Sequence, residues 1–306
     1  MLDQIDIERL FRNRMQTRDF STISQSARWI LYLKALTTIP YAKEAARAIL
    51  GYDISDKTID PTNIDMALLS CASFEARYRS IDAVLNSVRI TNHLEISSGF
   101  SFRGLELTKD PSIFYVDTDL PDLVKDKQRL IENLLAAQDR QLDRRLQLMA
   151  LNAMDEGSFL KIVNIFPPGP IAIINEGLLV YLDDHEKTHL ASIIHKVLSE
   201  RGGFWVTGDI YVRGRSPRPP NLKHSDRART FLEEHKVFEN MFESWDSAMA
   251  LFNRFGFSIE VHGVDEIYDQ LDSRKLIEER GIIEEEYLRR ALGSRQTWML
   301  QVNNLR

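Results

Sequence analysis

A glycine turn followed by two acids is the pattern in this sequence with the clearest chemistry. Gly99 comes shortly after the apolar run His93–Ile96 and just before a helical pattern. A glycine there lets the backbone approach a ligand closely, and the next helix offers free N–H groups. Asp117 and Asp119 follow Gly99 by 18 and 20 residues, the separation at which an acid accepts hydrogen bonds from ribose hydroxyls. The pattern favours a nucleoside-binding site; the alternative is an ordinary turn with a solvated acid.

The phosphate-binding part of the turn is incomplete. Ser97, Gly99 and Phe102 stand where a dinucleotide-binding turn would carry three glycines. A pyrophosphate would find less exposed backbone there. This disfavours NAD and FAD and favours S-adenosylmethionine, a nucleoside cofactor without phosphates. A nicotinamide-dependent oxidoreductase stays open as an alternative, although the sequence has no Tyr-x-x-x-Lys pair for hydride transfer.

From about residue 90, short apolar runs alternate with longer amphipathic stretches. This alternation is typical of an α/β domain with a mostly parallel sheet, in which ligands bind at the carboxyl ends of the strands. We predict a seven-stranded sheet covered by helices on both faces, with an antiparallel last strand at the sheet edge beside the run before it. The predicted strands are His93–Ile96, Ile113–Val116, Leu146–Leu151, Ile171–Ile174, Phe204–Val206, Phe257–Val261 and Trp298–Val302. The predicted helices between them are Leu123–Leu142, His185–Leu198, Ala228–Phe238, Asp246–Phe255 and Val264–Leu276.

The first 90 residues differ from the rest because their apolar residues recur only at helical spacing. We therefore expect a helical N-terminal cap over residues 1–90 and an α/β domain over residues 91–306, joined in one integrated unit. Arg12, Arg14, Tyr32 and Tyr41 lie in the cap, which we expect to form a lid over a substrate.

Composition excludes several classes of protein. The 306 residues carry a formal net charge of −6, which disfavours a nucleic-acid binder. The single cysteine, Cys71, excludes an internal disulfide and a cysteine-rich metal site. The sequence has neither a signal-peptide pattern at its first residues nor an uninterrupted apolar run long enough to span a membrane. We expect a cytoplasmic protein without nucleic-acid or membrane partners, and its oligomeric state stays open.

Four patches resemble the leucine carboxyl methyltransferase family, which includes bacterial O-methyltransferases linked to polyketide biosynthesis. The patches are Phe74-Glu-Ala-Arg-Tyr-Arg-Ser-Ile-Asp82, Ile96-Ser-Ser-Gly-Phe-Ser-Phe-Arg103, Asp117-Thr-Asp-Leu-Pro121 with Lys125 and Lys127, and Glu176-Gly-Leu-Leu-Val-Tyr-Leu182. The resemblance implies a class I methyltransferase, Rossmann-like fold and S-adenosylmethionine as cofactor.

The resemblance also implies a role for each matching residue. Arg77, or Arg79 in a shifted register, would contact the methionine carboxylate of the cofactor, and Glu176 would lie near its amino group, with Tyr181 at the same end. Ser97 and Gly99 would form the turn, Asp119 supported by Asp117 would bind the ribose, and Asn152 and Ala153 would lie beside the adenine. The sequence departs from the family at Ser97, where the family has glycine, and at Ser101, where it has aspartate.

The predicted activity is transfer of a methyl group to a carboxylate or hydroxyl of a small molecule. A carboxylate, with a pKa of about 4, is already ionised at neutral pH, whereas a phenol with a pKa of about 10 would need a base. Candidate catalytic residues are Tyr181, Tyr211 and His224, with His235 as a further base, and the arginine-rich segment 211–229 could attract a carboxylate substrate. His185 and His189 share a helix face without an evident third ligand, so we predict no metal site. The alternative is a binding protein on a degenerate methyltransferase fold.

Overall fold

A seven-stranded sheet forms the centre of the molecule. The computed structural model describes residues 24–55, 57, 59, 64–214 and 226–302. The strands are β1 (Asn92–Ile96), β2 (Phe114–Asp119), β3 (Leu146–Ala150), β4 (Ile171–Asn175), β5 (Gly203–Thr207), β6 (Phe257–Gly263) and β7 (Gln296–Val302). Their order is β3-β2-β1-β4-β5-β7-β6, and β1 to β5 are parallel. The predicted fold class and all seven predicted strands are confirmed.

Strands β4 and β5 are apolar up to their last residue because both faces of the sheet are covered. Every residue of β4 is buried. Ile173 and Trp205 belong to the core on one face, whereas Ile174 and Phe204 belong to the core on the other. This alternation explains why the strands are continuous apolar runs in the sequence.

The last strand occupies a different place from the predicted one. We expected β7 at the sheet edge, but it lies between β5 and β6 and is antiparallel to both. Thr207, at the carboxyl end of β5, pairs with Trp298, near the start of β7. The first residues of β7 therefore lie at the same sheet edge as the carboxyl ends of β1 to β5.

Helices cover both faces of the sheet. They are α1 (Ser24–Lys34), α2 (Ala42–Leu50), α3 (Ile64–Ser87), α4 (Arg103–Leu107), α5 (Pro121–Ala136), α6 (Glu156–Val163), α7 (Asp184–Arg201), α8 (Asp226–Glu234), α9 (Trp245–Arg254), α10 (Asp272–Glu279) and α11 (Glu285–Leu292). The described part of residues 1–90 is thus helical. Leu31 of α1 and Ile81 of α3 share one core with Tyr115 and Phe204 of the sheet. The role of these helices as a lid stays a prediction.

Three predicted helices have clearly different bounds. The helix predicted over Ala228–Phe238 ends at Glu234, and Lys236 has a φ of 52°. The helix predicted over Leu123–Leu142 ends at Ala136, and Asp139 has a φ of 52°, which an α-helix does not allow. The helix predicted over Val264–Leu276 is wrong in its first half, where two 3₁₀ turns precede α10. The α10 helix begins at Asp272 because Glu75 of α3 accepts hydrogen bonds from its first backbone N–H groups, those of Asp272 and Ser273.

Some sequence predictions fall outside the described residues. These are the predictions for Arg12, Arg14 and His224, and for most of the arginine-rich segment. Within the described ranges, no helix is both long enough and apolar enough to cross a membrane.

Candidate functional site

A cleft of about 980 Å³, counting the space open to solvent, lies at the carboxyl ends of the parallel strands. Loops after β1, β3 and β4 and the end of β2 form its floor, and α1 forms part of its wall. This cleft is lined by most of the residues that were predicted to bind a cofactor: Arg77, Ser97, Gly99, Asp119, Asn152, Ala153 and Glu176. Residues far apart in the sequence thus meet in one place.

The turn after β1 is held by the acid at the end of β2. Asp119 accepts hydrogen bonds from the backbone N–H groups of Gly99 and Leu120, both at 2.7 Å. Burial raises the pKa of Asp119, while these two N–H groups act in the opposite direction. Each carboxylate oxygen has a second lone pair. Asp119 can therefore hold the turn and still accept hydrogen bonds from a ligand in the cleft.

Ser97 adopts the backbone conformation of a glycine. Its φ is 52°, close to the 54° of Gly99. A side chain at positive φ is strained, because Cβ crowds the backbone. This conformation favours glycine at position 97. Ser97 adopts it at a cost in backbone strain.

Asp117 does not line the cleft, contrary to the expectation that it supports ribose binding directly. Its buried carboxylate lies under the turn, where it accepts hydrogen bonds from Ser98 Oγ and Lys127 Nζ. Lys127 also donates to Ser98 Oγ at 2.9 Å. The three side chains tie the turn to β2 and α5, so Asp117 positions the turn.

The cleft wall after β3 is apolar with one amide. Asn152 Oδ1 accepts a hydrogen bond from Met154 N at 3.0 Å, which fixes the loop. Asp155 caps α6 through Ser158 N and does not line the cleft. Apolar side chains make up most of the remaining surface at this end: Phe100, Leu120, Leu123, Leu151 and Ala153. This end of the cleft suits a flat ring with polar atoms on its edge.

The other end of the cleft holds a buried carboxylate among three cations. Glu176 Oε1 lies 2.6 Å from Lys34 Nζ and 3.3 Å from Arg77 Nη2, and its Oε2 lies 3.2 Å from Arg103 Nη2. Burial acts to raise the pKa of Glu176, but Lys34, Arg77 and Arg103 outweigh it and lower the pKa to about 2. Glu176 is therefore ionised at neutral pH.

Arg77, and not Arg79, is the arginine of the cleft. Arg79 pairs with Glu75 and Asp272 on the other side of α3. The structure thus decides between the two registers of the sequence patch. Arg77 lies against Gly208, where an added Cβ would be 2.5 Å from Arg77 Cγ. A glycine is required at position 208 for this placement.

Two important residues were not predicted from the sequence. Lys34, in the last turn of α1, contacts Glu176 across 142 residues of chain. Asp209 follows β5 and accepts hydrogen bonds from the backbone N–H groups of Gly177 and Leu178, both at 2.6 Å. It thereby fixes the loop that carries Glu176. An acid three residues after a predicted strand was the available signal for Asp209, whereas a lysine in an amphipathic helix gave none for Lys34.

Two of the candidate catalytic residues lie at the Glu176 end. Tyr181 lines the cleft, its hydroxyl donates to Ser26 Oγ at 3.2 Å, and burial raises its pKa. The hydroxyl of Tyr211 accepts a hydrogen bond from Arg77 Nη1 at 2.6 Å. His235 contacts the ring of Tyr181, with 6.1 Å between ring centroids.

The structure gives no sign of a metal centre within its described ranges, where no group of three or more His, Cys, Asp or Glu residues has a metal-binding arrangement. His189 Nε2 lies 3.1 Å from the carbonyl oxygen of Met154. Its contact with a backbone carbonyl is that of a structural histidine.

Known proteins support the fold of this chain. No protein-family profile and no curated protein matches the sequence. A DUF574 family protein from Streptomyces avermitilis is 14% identical, with a TM-score of 0.52 over 90% of this chain and 97% of that one. It shows that this arrangement of strands and helices occurs as a whole protein.

Solved methyltransferases are also similar, with lower TM-scores. An O-methyltransferase family protein from Burkholderia thailandensis is 13% identical, with a TM-score of 0.46 over 80% of this chain and 61% of that one. Phosphoethanolamine N-methyltransferase 2 from Haemonchus contortus, in complex with S-adenosyl-L-methionine, is 11% identical, with a TM-score of 0.46 over 81% of this chain and 59% of that one. This chain therefore spans less than two thirds of the length of either protein.

Proposed function

We propose that this protein is an S-adenosylmethionine-dependent O-methyltransferase of the leucine carboxyl methyltransferase type, acting on a small molecule. The observation that carries the proposal is that one cleft combines Asp119, at the end of β2, with Glu176, which follows β4, and Arg77 of α3. These groups match a ligand that has a ribose at one end and an amino acid at the other.

The side chains present fit this cofactor. Asp119 has lone pairs free for the two ribose hydroxyls, and the apolar wall beside Asn152 and Ala153 would hold the adenine. Glu176, ionised and buried, would accept hydrogen bonds from the ammonium group, and Arg77 would donate to the carboxylate. Because Glu176 now pairs with Lys34 and Arg77, these contacts would be exchanged when the cofactor's amino-acid end enters.

The cofactor supplies a methyl group on a positively charged sulfur, which makes that carbon electrophilic. The protein then has to align the acceptor oxygen and keep water out. Leu31 and Ile30 of α1 and Leu123 of α5 line the cleft and would exclude water from it. A carboxylate acceptor would need no general base. For a hydroxyl acceptor, Tyr181 and Tyr211 are the described side chains near enough to the Glu176 end to hold the proton.

The test is calorimetric titration of the purified protein with S-adenosylmethionine, S-adenosylhomocysteine and NADH. We expect micromolar binding of the first two. Asp119→Ala removes two charged hydrogen bonds to the ribose and should weaken binding by about 10-fold to 100-fold. Asp122→Ala is the matched control: Asp122 lies in the first turn of α5, three residues away, and its side chain is 95% exposed. It should leave the affinity within about twofold.

The outcomes separate the alternatives. Binding of NADH alone would favour a nicotinamide-dependent oxidoreductase. Binding of none of the three by a folded protein would favour a binding protein that has kept the fold and lost the cofactor. If wild type and Asp119→Ala bind S-adenosylmethionine with equal affinity, Asp119 does not bind the ribose. The cofactor itself would still be decided by the titration of the wild type.

A further inference from the structure

An arginine outside the predicted set lies next to the Glu176 end of the cleft. Arg295 immediately precedes β7, and the antiparallel course of β7 brings it to the carboxyl edge of the sheet. Its guanidinium carbon lies 4.4 Å from the ring centroid of Tyr211, and its Nε donates to Ser73 Oγ at 3.0 Å. Arg295 and Tyr211 do not line the cleft itself, but both are partly exposed.

Arg295 is a cation that pairs with no acid in the described part of the chain. Among the described residues, none places a carboxylate oxygen within 4.0 Å of its nitrogen atoms, although the other arginines of this end, Arg77 and Arg103, both have one. Asp209, whose charge acts to raise the pKa of Arg295, already accepts hydrogen bonds from the backbone N–H groups of Gly177 and Leu178. Burial lowers the pKa of Arg295, and the charge of Arg77 acts in the same direction. A guanidinium in this position would gain from an anion.

Tyr211 adds a second donor. A guanidinium can only donate, so the 2.6 Å contact makes the Tyr211 oxygen the acceptor from Arg77 Nη1. The hydroxyl proton of Tyr211 is therefore available for a hydrogen bond, and no described residue accepts a hydrogen bond from it. Arg295 and Tyr211 therefore present a cationic fork beside a neutral hydroxyl.

This combination of donors fits a carboxylate. Its single negative charge matches the charge of the Arg295 guanidinium, and its two oxygens match a planar guanidinium and an adjacent O–H donor. A phosphate dianion would leave one negative charge uncompensated in a partly buried site, which is costly. Oxygens held by charge-assisted hydrogen bonds are poor nucleophiles, so the pair is suited to hold a carboxylate in place.

We propose that Arg295 and Tyr211 form the acceptor-recognition pair of this protein and select small molecules that carry a carboxylate. The inference rests on the proposed function, since it takes the neighbouring Arg77 and Glu176 as the cofactor end of the cleft. It adds the class of the acceptor and two specificity-determining residues.

The test uses benzoate as the probe and the full chain saturated with S-adenosylhomocysteine. Benzoate is titrated by calorimetry, with benzamide as its neutral counterpart. We expect benzoate to bind in the millimolar range and benzamide at least about tenfold more weakly, since the amide lacks the charge. Arg295→Met should weaken benzoate binding by at least about tenfold, and Tyr211→Phe by about threefold to tenfold.

Two further variants guard against a merely structural effect. Arg295→Lys keeps the charge but loses the fork, so it should retain part of the benzoate affinity. Arg254→Met is the matched control, because Arg254 is an exposed arginine that likewise lies over an aromatic ring, 5.5 Å from the Phe255 centroid. It should bind benzoate as the wild type does.

The two proposals fail in different ways. If S-adenosylhomocysteine does not bind, the proposed function fails, and the inference that depends on it is overturned with it. If S-adenosylhomocysteine binds but benzoate does not, or if folded Arg295→Met binds benzoate as tightly as the wild type, the acceptor-recognition pair alone is refuted. Equal binding of benzoate and benzamide would refute the selection of a carboxylate.

Discussion

Replacing Glu176 by glutamine should destabilise the protein by an amount that depends on pH. The pKa of Glu176 falls from its ordinary 4.5 to about 2 in the folded protein. One pKa unit corresponds to about 1.4 kcal/mol, so the ionised carboxylate stabilises the folded state by about 3 kcal/mol. Because the folded-state pKa is the lower one, this stabilisation is complete above pH 4.5 and is lost as the pH falls toward 2.

The assay is urea unfolding of wild type and Glu176→Gln, followed by circular dichroism at several pH values from 7 downward. The difference in the free energy of unfolding should be about 3 kcal/mol at pH 7 and should shrink below pH 4.5. Glu156→Gln is the control, because Glu156 pairs with Lys196 at 2.8 Å on the surface. Solvent screens that pair, so its loss should cost less than about 1 kcal/mol.

Lys34→Met tests the asymmetry of the same cluster. Without Lys34, Glu176 keeps Arg77 and Arg103 as partners, whereas without Glu176 the buried ammonium of Lys34 has lost the anion it pairs with. Lys34→Met should therefore cost less than Glu176→Gln. A difference between wild type and Glu176→Gln that does not change with pH, or a larger cost for Lys34→Met, would refute the reasoning.

Three further changes test other parts of the structure. Ser97→Gly should raise the free energy of unfolding by about 1 kcal/mol in urea titrations, because it removes a side chain from a positive φ; a loss of stability would contradict this. Gly208→Ala should displace Arg77 and weaken calorimetric binding of S-adenosylmethionine by at least about tenfold, and unchanged affinity would show that Arg77 does not need its present position. Asp183→Ala should lower the free energy of unfolding by about 1 kcal/mol, because Asp183 and Glu186 form the capping box of α7; an unchanged urea midpoint would contradict it.

The positions of Gly99, Asp119 and Glu176 could be predicted because each one ends or follows a strand, whereas Arg77, on α3, was predicted from the family resemblance. Parallel strands end at one sheet edge, so recognising the strands also brought Gly99, Asp119 and Glu176 together. The same reasoning could not separate Asp117 from Asp119. Residues two apart on a strand share a face and lie about 6–7 Å apart along it. Only Asp119, at the very end of β2, reaches the cleft, whereas Asp117 lies beneath the turn.

The residues that were missed depend on contacts between distant segments. Lys34 reaches Glu176 only because α1 packs beside the sheet, and nothing in the local sequence of α1 indicates that packing. The antiparallel direction of β7 and its pairing with β6 could also be predicted, but its second neighbour, β5, could not, since several apolar strands offered a partner. Because β7 was predicted at the outer edge of the sheet, Arg295 was not predicted to lie near the cleft. Its position there follows from the insertion of β7 between β5 and β6.

The insertion of β7 also has a consequence for the nascent chain. During synthesis, β5 emerges long before its second neighbour, and until residues 296–302 arrive its free edge displays unpaired backbone N–H and C=O groups. Its sequence, Gly-Phe-Trp-Val-Thr, is apolar and buried in the finished fold, which makes that edge a template for pairing with other chains. A chain cut before β7 should therefore aggregate even though β1 to β6 are present, because the free edge of β5 is covered only when the last strand inserts between β5 and β6.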